Sequence, residues 1–247
     1  MTLDRDSFKV FAIDAAVAAW SAAAHRMATA VAADPTMQAR WLRHDGTWFV
    51  GVDALPNGPD GAIGGVPLQG PWERHVQPPE TWHPAQLSVL YAGYPKRDIG
   101  DSEAAHRFRV RRCAAHVDGL LLEDGRRYPR EPHAFILGLP LNHSDACPLV
   151  VWQGSHLRME AALRAAIGAR DPREVDVTDA YKAARAEVFE TCTPVAVQAE
   201  PGQAILLHRF ALHGVAPWQD GMVLPAEGRM IAYFRPHFAE PMDWLRG

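Results

Sequence analysis

The spacing of apolar positions changes once along the chain. From about Asp14 to Arg40, Val17, Trp20, Ala24, Met27 and Val31 recur every three or four residues in an Ala-rich background, which predicts an amphipathic helix. Asp34-Pro35 breaks it, since proline restricts the residue before it. "TWFVGVDAL" (47–55) predicts a strand, and "PNGPDGAIGGVPLQGPW" (56–72) is too rich in Gly and Pro for a regular element. A loop of that length is either a lid or a solvated connector. From Gln86 onward the pattern becomes short β-like runs between turn signals: "QLSVLYAGY", "RVRRCAAHVDGLL", "HAFILGLPL", "PLVVWQGS", "PVAVQAEPGQAILLH" and "RMIAYFRPHF". Between the fourth and fifth runs, "LRMEAALRAAIGA" (157–169) and "DAYKAARAEVFE" (179–190) return to helical spacing and form a helical insertion.

Many short strands of this kind predict a sandwich or barrel rather than alternating β-α units. The expected fold is mainly β with flanking α. A jelly-roll or double-stranded β-helix core over 86–238 follows an N-terminal helical and loop segment (1–85), and the whole chain makes one domain.

Composition agrees with this picture. A chain of 247 residues, 48% hydrophobic and 22% charged, can bury a full-sized core. A net charge of -4 supplies no basic field for nucleic acid, so a small-molecule partner is expected. Cys113, Cys147 and Cys192 are odd in number, far apart and without a C-x-x-C, which points to reduced thiols in a cytoplasm rather than a disulfide framework. The opening stretch is rich in Ala and Val like a signal peptide. However, Asp4 and Asp6 offset Arg5 and Lys9, and Asp14 interrupts the apolar run, so an amphipathic helix is the reading. No apolar run is long enough to span a membrane.

The candidate chemistry begins with "HVD". In a strand, residues i and i+2 share a face, so His116 and Asp118 deliver an imidazole and a carboxylate into one space. A second H-x-D, His143 and Asp145 in "NHSDAC", sits in a polar stretch and reads as a turn whose side chains bond locally. The third ligand is expected from "PGQAILLHRFALHGVAPW". His208 and His213 are five apart, so a regular strand would point only one inward; His213 is preferred because Gly214 allows a close backbone approach beside it.

In this order ("HVD", "PLVVWQGSH", "PGQAILLHRFALHG", "GRMIAYFRP") the segments resemble the iron(II)- and 2-oxoglutarate-dependent oxygenases, particularly the phytanoyl-CoA dioxygenase-like branch. The resemblance covers roughly residues 86 to 238. It implies that His116, Asp118 and His213 hold Fe(II) and that Arg229 binds the distal carboxylate of 2-oxoglutarate. It further implies a dioxygenase that hydroxylates a small molecule with O2. Arg235, at an even offset from Arg229, competes for the cosubstrate role. The chain departs from the family pattern in a long segment between His213 and Arg229, and in Gln153 where the family has proline before Gly154. Asp118 is a carboxylate where related halogenases carry a small residue, which argues against halogenation.

The residue types suit that chemistry independently, because two imidazoles and a carboxylate on one face leave three metal positions open for a bidentate 2-oxoacid and O2. Arg provides a fixed fork of donors for a carboxylate. Trp152 and Trp218 lie near enough to the motifs to stand as pocket walls, whereas His156 and His208 are expected to make structural hydrogen bonds. The Arg-rich surroundings of "HVD" (Arg107 to Arg130) are expected to be a solvated rim. Two other readings stand beside the dioxygenase: a cupin-type isomerase, which would carry a second His/Glu cluster that the sequence does not display, and a non-catalytic metal- or ligand-binding protein on the same fold.

Overall fold

The computed structural model describes Leu3 and residues 5–246. The chain opens with β1 (Phe8–Val10), α1 (Ala15–Ala33), α2 (Pro35–Trp41), β2 (Leu42–Arg43), β3 (Trp48–Gly51) and β4 (Gln86–Leu90). Next come α3 (Glu103–Arg112), β5 (Leu120–Glu123), β6 (Arg126–Pro129), β7 (Phe135–Pro140) and β8 (Leu149–Trp152). It ends with α4 (Ser155–Ile167), α5 (Thr178–Thr191), β9 (Pro194–Val197), β10 (Ile205–His208), β11 (His213–Val215) and β12 (Arg229–Phe234).

These strands make a seven-stranded antiparallel sheet, β1-β10-β7-β12-β4-β3-β2, facing a three-stranded sheet, β11-β8-β9. A further bridge, His116 to His213, adds residue 116 to the free edge of the small sheet. Followed along the chain, the core strands visit the large sheet (β4), the small sheet (116), then large (β7), small (β8, β9), large (β10), small (β11) and large (β12). That double winding is a double-stranded β-helix of the jelly-roll type, as the strand pattern predicts.

Alternation along the strands explains why they read as nearly continuous apolar runs. Ile136, Ile205, Leu207, Ile231 and Tyr233 of the large sheet meet Leu149, Val151 and Val197 of the small one in the space between the layers. The intervening residues Leu137, Leu139, Leu206, Met230, Ala232 and Phe234 point outward, but α1 covers that face through Trp20, Ala24 and Ala28. Outside the small sheet, Val150 and Trp152 pack with Met159 and Leu163 of α4 and Tyr181 and Val188 of α5. The central strands of both sheets are therefore buried on both faces.

Three expectations need correction. The stretch "RVRRCAAHVDGLL" is not a strand throughout: its first part lies in α3, because Ser102 Oγ accepts from Ala105 N at 3.1 Å and basic residues occupy the last turn. The opening stretch is not helical before Ala15. Phe8–Val10 pairs with β10, and α1 begins only where the Asp14 carboxylate accepts from Ala16 N and Val17 N. The loop 56–72 is neither lid nor free connector. Ile63 and Leu68 are buried in the α1-side core, and the Trp20 indole donates to Gly61 O at 2.9 Å. The helical insertion lies where expected, between β8 and β9.

Trp20 thus joins helix, sheet and loop: it is fully buried, its ring lies 5.5 Å from Phe234, and it supplies the donor for Gly61. Trp20→Ala is expected to lower the unfolding free energy by about 3–5 kcal/mol, the usual range for a large aromatic lost from a core. Urea denaturation followed by circular dichroism measures this, and a loss below about 1 kcal/mol would contradict the packing role.

Candidate metal centre

The site is built where the two sheets meet at the edge strand. His116 and His213 face each other across an antiparallel bridge: His116 N donates to His213 O at 2.8 Å and His213 N donates to His116 O at 3.0 Å. His213 lies opposite Val151, whose side chain faces the interior, so both imidazoles point inward, and Asp118 follows two residues after His116. The ring centroids are 4.8 Å apart. Gly214 permits the approach of the two chains, since a Cβ there would stand 2.0 Å from Cys113 O.

The strand parity that favours His213 over His208 does not hold in the fold. His208 and His213 are not on one strand; the chain leaves β10 after His208 and crosses to β11 in the opposite sheet. His208 packs instead against His156, 4.6 Å between centroids, and its Nδ1 accepts from Phe210 N, while Ser7 Oγ lies 2.7 Å from His156 Nδ1. Both have the structural roles expected of them.

The imidazoles are oriented by their backs. His116 Nδ1 donates to Ala114 O and His213 Nδ1 donates to Ala211 O, each at 2.9 Å, which leaves the Nε2 lone pairs facing Asp118. Asp118 Oδ1 lies 2.9 Å from His116 Nε2 and 3.7 Å from His213 Nε2. Its other oxygen, Oδ2, accepts from Arg235 Nε at 2.5 Å, and Arg235 Nη1 also donates to Gln86. One carboxylate oxygen is therefore held by the protein and the other is presented with the two imidazoles.

The electrostatics fit a cation at that convergence. Burial alone would raise the Asp118 carboxyl, but Arg235, His213 and His116 override it and hold it well below the usual carboxylate range. Burial, opposed by Asp118, lowers His213 to about 4. For His116 burial acts downward, yet the hydrogen bond and charge of Asp118 outweigh it and the net shift is upward. Two Nε2 atoms and Oδ1 make the donor set of a two-histidine, one-carboxylate metal face.

Around the three residues lies a pocket of about 580 Å³, open on one side and lined by Trp48, Ser88, Leu149, Tyr233 and Arg235 among others. Neither Trp152 nor Trp218 lines it: Trp152 packs under α4 and α5, Trp218 beside Leu90 and Cys147, and the tryptophan at the pocket is Trp48. Of the Arg-rich rim, Arg127 reaches the pocket, while Arg109 pairs with Asp101 and Arg130 with Glu123. His143 is exposed in a loop, 3.5 Å from Glu200, away from the three donors; the local side-chain bonding expected of a turn is not what holds it.

Arg229 begins β12 on the face that continues through Ile231, Tyr233 and Arg235 toward the interior. It is 7% exposed and, among the described residues, forms no ion pair with a carboxylate. Tyr233 faces its guanidinium, and burial pulls its pKa below the usual arginine value. The two arginines thus differ sharply, Arg235 being committed to Asp118 and Arg229 having no counter-charge.

No protein-family model matches the chain, and no curated protein matches it. Several solved structures do resemble it. EctD from S. alaskensis with 2-oxoglutarate and 5-hydroxyectoine is 17% identical with a TM-score of 0.45, covering 95% of this chain and 73% of that one. AviO1 from Streptomyces viridochromogenes Tue57 is 16% identical with a TM-score of 0.42, over 96% of this chain and 92% of that one. SnoK, a non-heme alpha ketoglutarate dependent carbocyclase from nogalamycin biosynthesis, is 15% identical with a TM-score of 0.31, over 61% and 48%. At these values the likeness is one of chain path, and the chemistry of this chain rests on its own residues. Among the described residues no helix is long and apolar enough to cross a membrane.

A metal binds imidazole only in its neutral form, so metal and proton compete at His116 and not, near neutrality, at His213. The sign follows: affinity for a divalent cation falls as the pH drops through the raised His116 value. Close to that value binding should release up to about one proton per metal and never approach two. Calorimetry in buffers of different ionisation enthalpy counts the protons; release approaching two would show that His213 is not held neutral.

Proposed function

We propose that the protein is an Fe(II)- and 2-oxoglutarate-dependent dioxygenase of the phytanoyl-CoA dioxygenase-like branch that hydroxylates a small molecule. The observation that carries this reading is Arg229: a buried guanidinium with no carboxylate partner, on the same inward-facing row as the residue that holds Asp118. A buried charge is costly unless paired, and a dianionic cosubstrate supplies the missing partner.

In this reading His116, Asp118 and His213 hold the metal through Nε2, Oδ1 and Nε2 and leave its pocket side open. Arg235 fixes Asp118 by one oxygen and would leave the other, Oδ1, free for the metal. Arg229 takes the distal carboxylate of 2-oxoglutarate with its planar fork. Bound together, Fe(II) and 2-oxoglutarate supply the oxidation: O2 is consumed, 2-oxoglutarate becomes succinate and CO2, and one oxygen atom goes to a substrate C–H bond. The apolar walls formed by Trp48, Leu149 and Val215 leave room for a small substrate beside the three donors.

Truncating one partner of a buried charge pair costs about 2–5 kcal/mol, so Arg229→Ala should weaken 2-oxoglutarate binding about thirtyfold or more while metal affinity is retained. Arg229→Lys keeps the charge without the fork and should fall between. Calorimetric titration of metal-loaded variants tests this, and unchanged affinity in Arg229→Ala would move the cosubstrate elsewhere. Succinate formed from 2-oxoglutarate without a primary substrate separates the enzyme from a binding protein on the same fold.

A further inference from the structure

Beyond the three residues already described, the fold brings a second set of donors together in the pocket wall. His133 and His237 face each other across an antiparallel bridge, flanked by Ala134 N donating to Pro236 O at 2.7 Å and Phe238 N donating to Pro132 O at 3.0 Å. Their rings are 4.9 Å apart and tilted by 44°, against 4.8 Å and 45° for His116 and His213. Glu131 adds a carboxylate, its Oε2 being 3.6 Å from His133 Nε2. One donor atom from each of the three lies within 4.8 Å of the others. The arrangement, two cross-strand imidazoles and a carboxylate two residues from one of them, repeats that of the metal centre.

We propose that Glu131, His133 and His237 form a second divalent-metal site, of zinc-binding chemistry, in the wall of the pocket. His133 is 4% exposed, and its Nδ1 makes no well-formed hydrogen bond although the ring faces the Arg235 carbonyl. Two imidazoles and one carboxylate are a common zinc set that leaves a fourth position open. His83 stands beside it, with its ring 5.6 Å from that of His237. These residues line a small cavity of about 180 Å³ that shares Glu131, His133 and Arg235 with the larger pocket. Gly119 makes the two sites neighbours: a Cβ there would stand 2.0 Å from Glu131 O, and Glu131 N donates to Gly119 O. A zinc ion would therefore clamp the end of β12 to the segment before β7, beside the arginine that holds Asp118.

The test is metal stoichiometry of the untagged full chain dialysed against zinc alone. The parent should hold two zinc ions per chain, His237→Ala and Glu131→Gln one each, and His116→Ala also one. Zinc should raise the melting temperature of His116→Ala but not of a His116→Ala, His237→Ala double variant. Both surface variants, at an exposed and a half-exposed position, should fold as the parent does. Two ions retained in both His237→Ala and Glu131→Gln would overturn the proposal, as would a parent that holds one ion which neither substitution affects. A parent that holds one ion and loses it only in His237→Ala and Glu131→Gln would support this site and count against the His116 site instead.

Discussion

The site depends on a pair of reciprocal backbone hydrogen bonds between His116 and His213. They attach one residue of an otherwise irregular segment to the edge of the small sheet, and in doing so they set both imidazoles on the inner face with Asp118 beside them. The glycine after His213 is part of this, because any side chain at Gly214 would strike the Cys113 carbonyl and push the two chains apart. Backbone geometry brings the donors together; the Ala114 and Ala211 carbonyls and Arg235 then aim them.

The inner row of β12 divides two tasks between two arginines of the same type. Arg235 is spent on Asp118, an interaction strong enough to keep the carboxylate charged despite burial. Arg229 lies six residues earlier in the chain on the same face, buried and, among the described residues, without an ion pair to a carboxylate. Had Arg229 been paired as Arg235 is, it would have no claim on a cosubstrate. Under the proposed function, what each guanidinium touches favours Arg229 for the cosubstrate, where sequence offset alone left both arginines open.

Much of the fold was legible because burial on both faces leaves long apolar runs, and because turn residues separate them. The parts that were not legible have local causes. The helix-cap look of "SEAAH" (102–106) was legible, but the helix it starts runs on to Arg112, into a stretch expected to be strand, and β1 forms only because β10 offers it an edge. His116 and Asp118 could be read from i, i+2 spacing, whereas His213 came from a parity rule that does not hold across the sheet change. Arg229 was legible only through the order of family-like motifs. The Glu131, His133 and His237 cluster had one visible trace, the E-x-H spacing of "EPH"; its third member lies in another strand far along the chain, so no local pattern contains it.

The central claim is that one metal and one 2-oxoglutarate share the interior between His116, Asp118, His213 and Arg229. The most direct measurement is a crystal structure of the protein grown without oxygen in the presence of Fe(II) and 2-oxoglutarate. The account predicts a metal bound by His116 Nε2, Asp118 Oδ1 and His213 Nε2 at about 2.0–2.2 Å, as for such N and O donors, with the distal carboxylate of 2-oxoglutarate on Arg229. A metal bound away from these three side chains, or 2-oxoglutarate bound with Arg229 untouched, would contradict it.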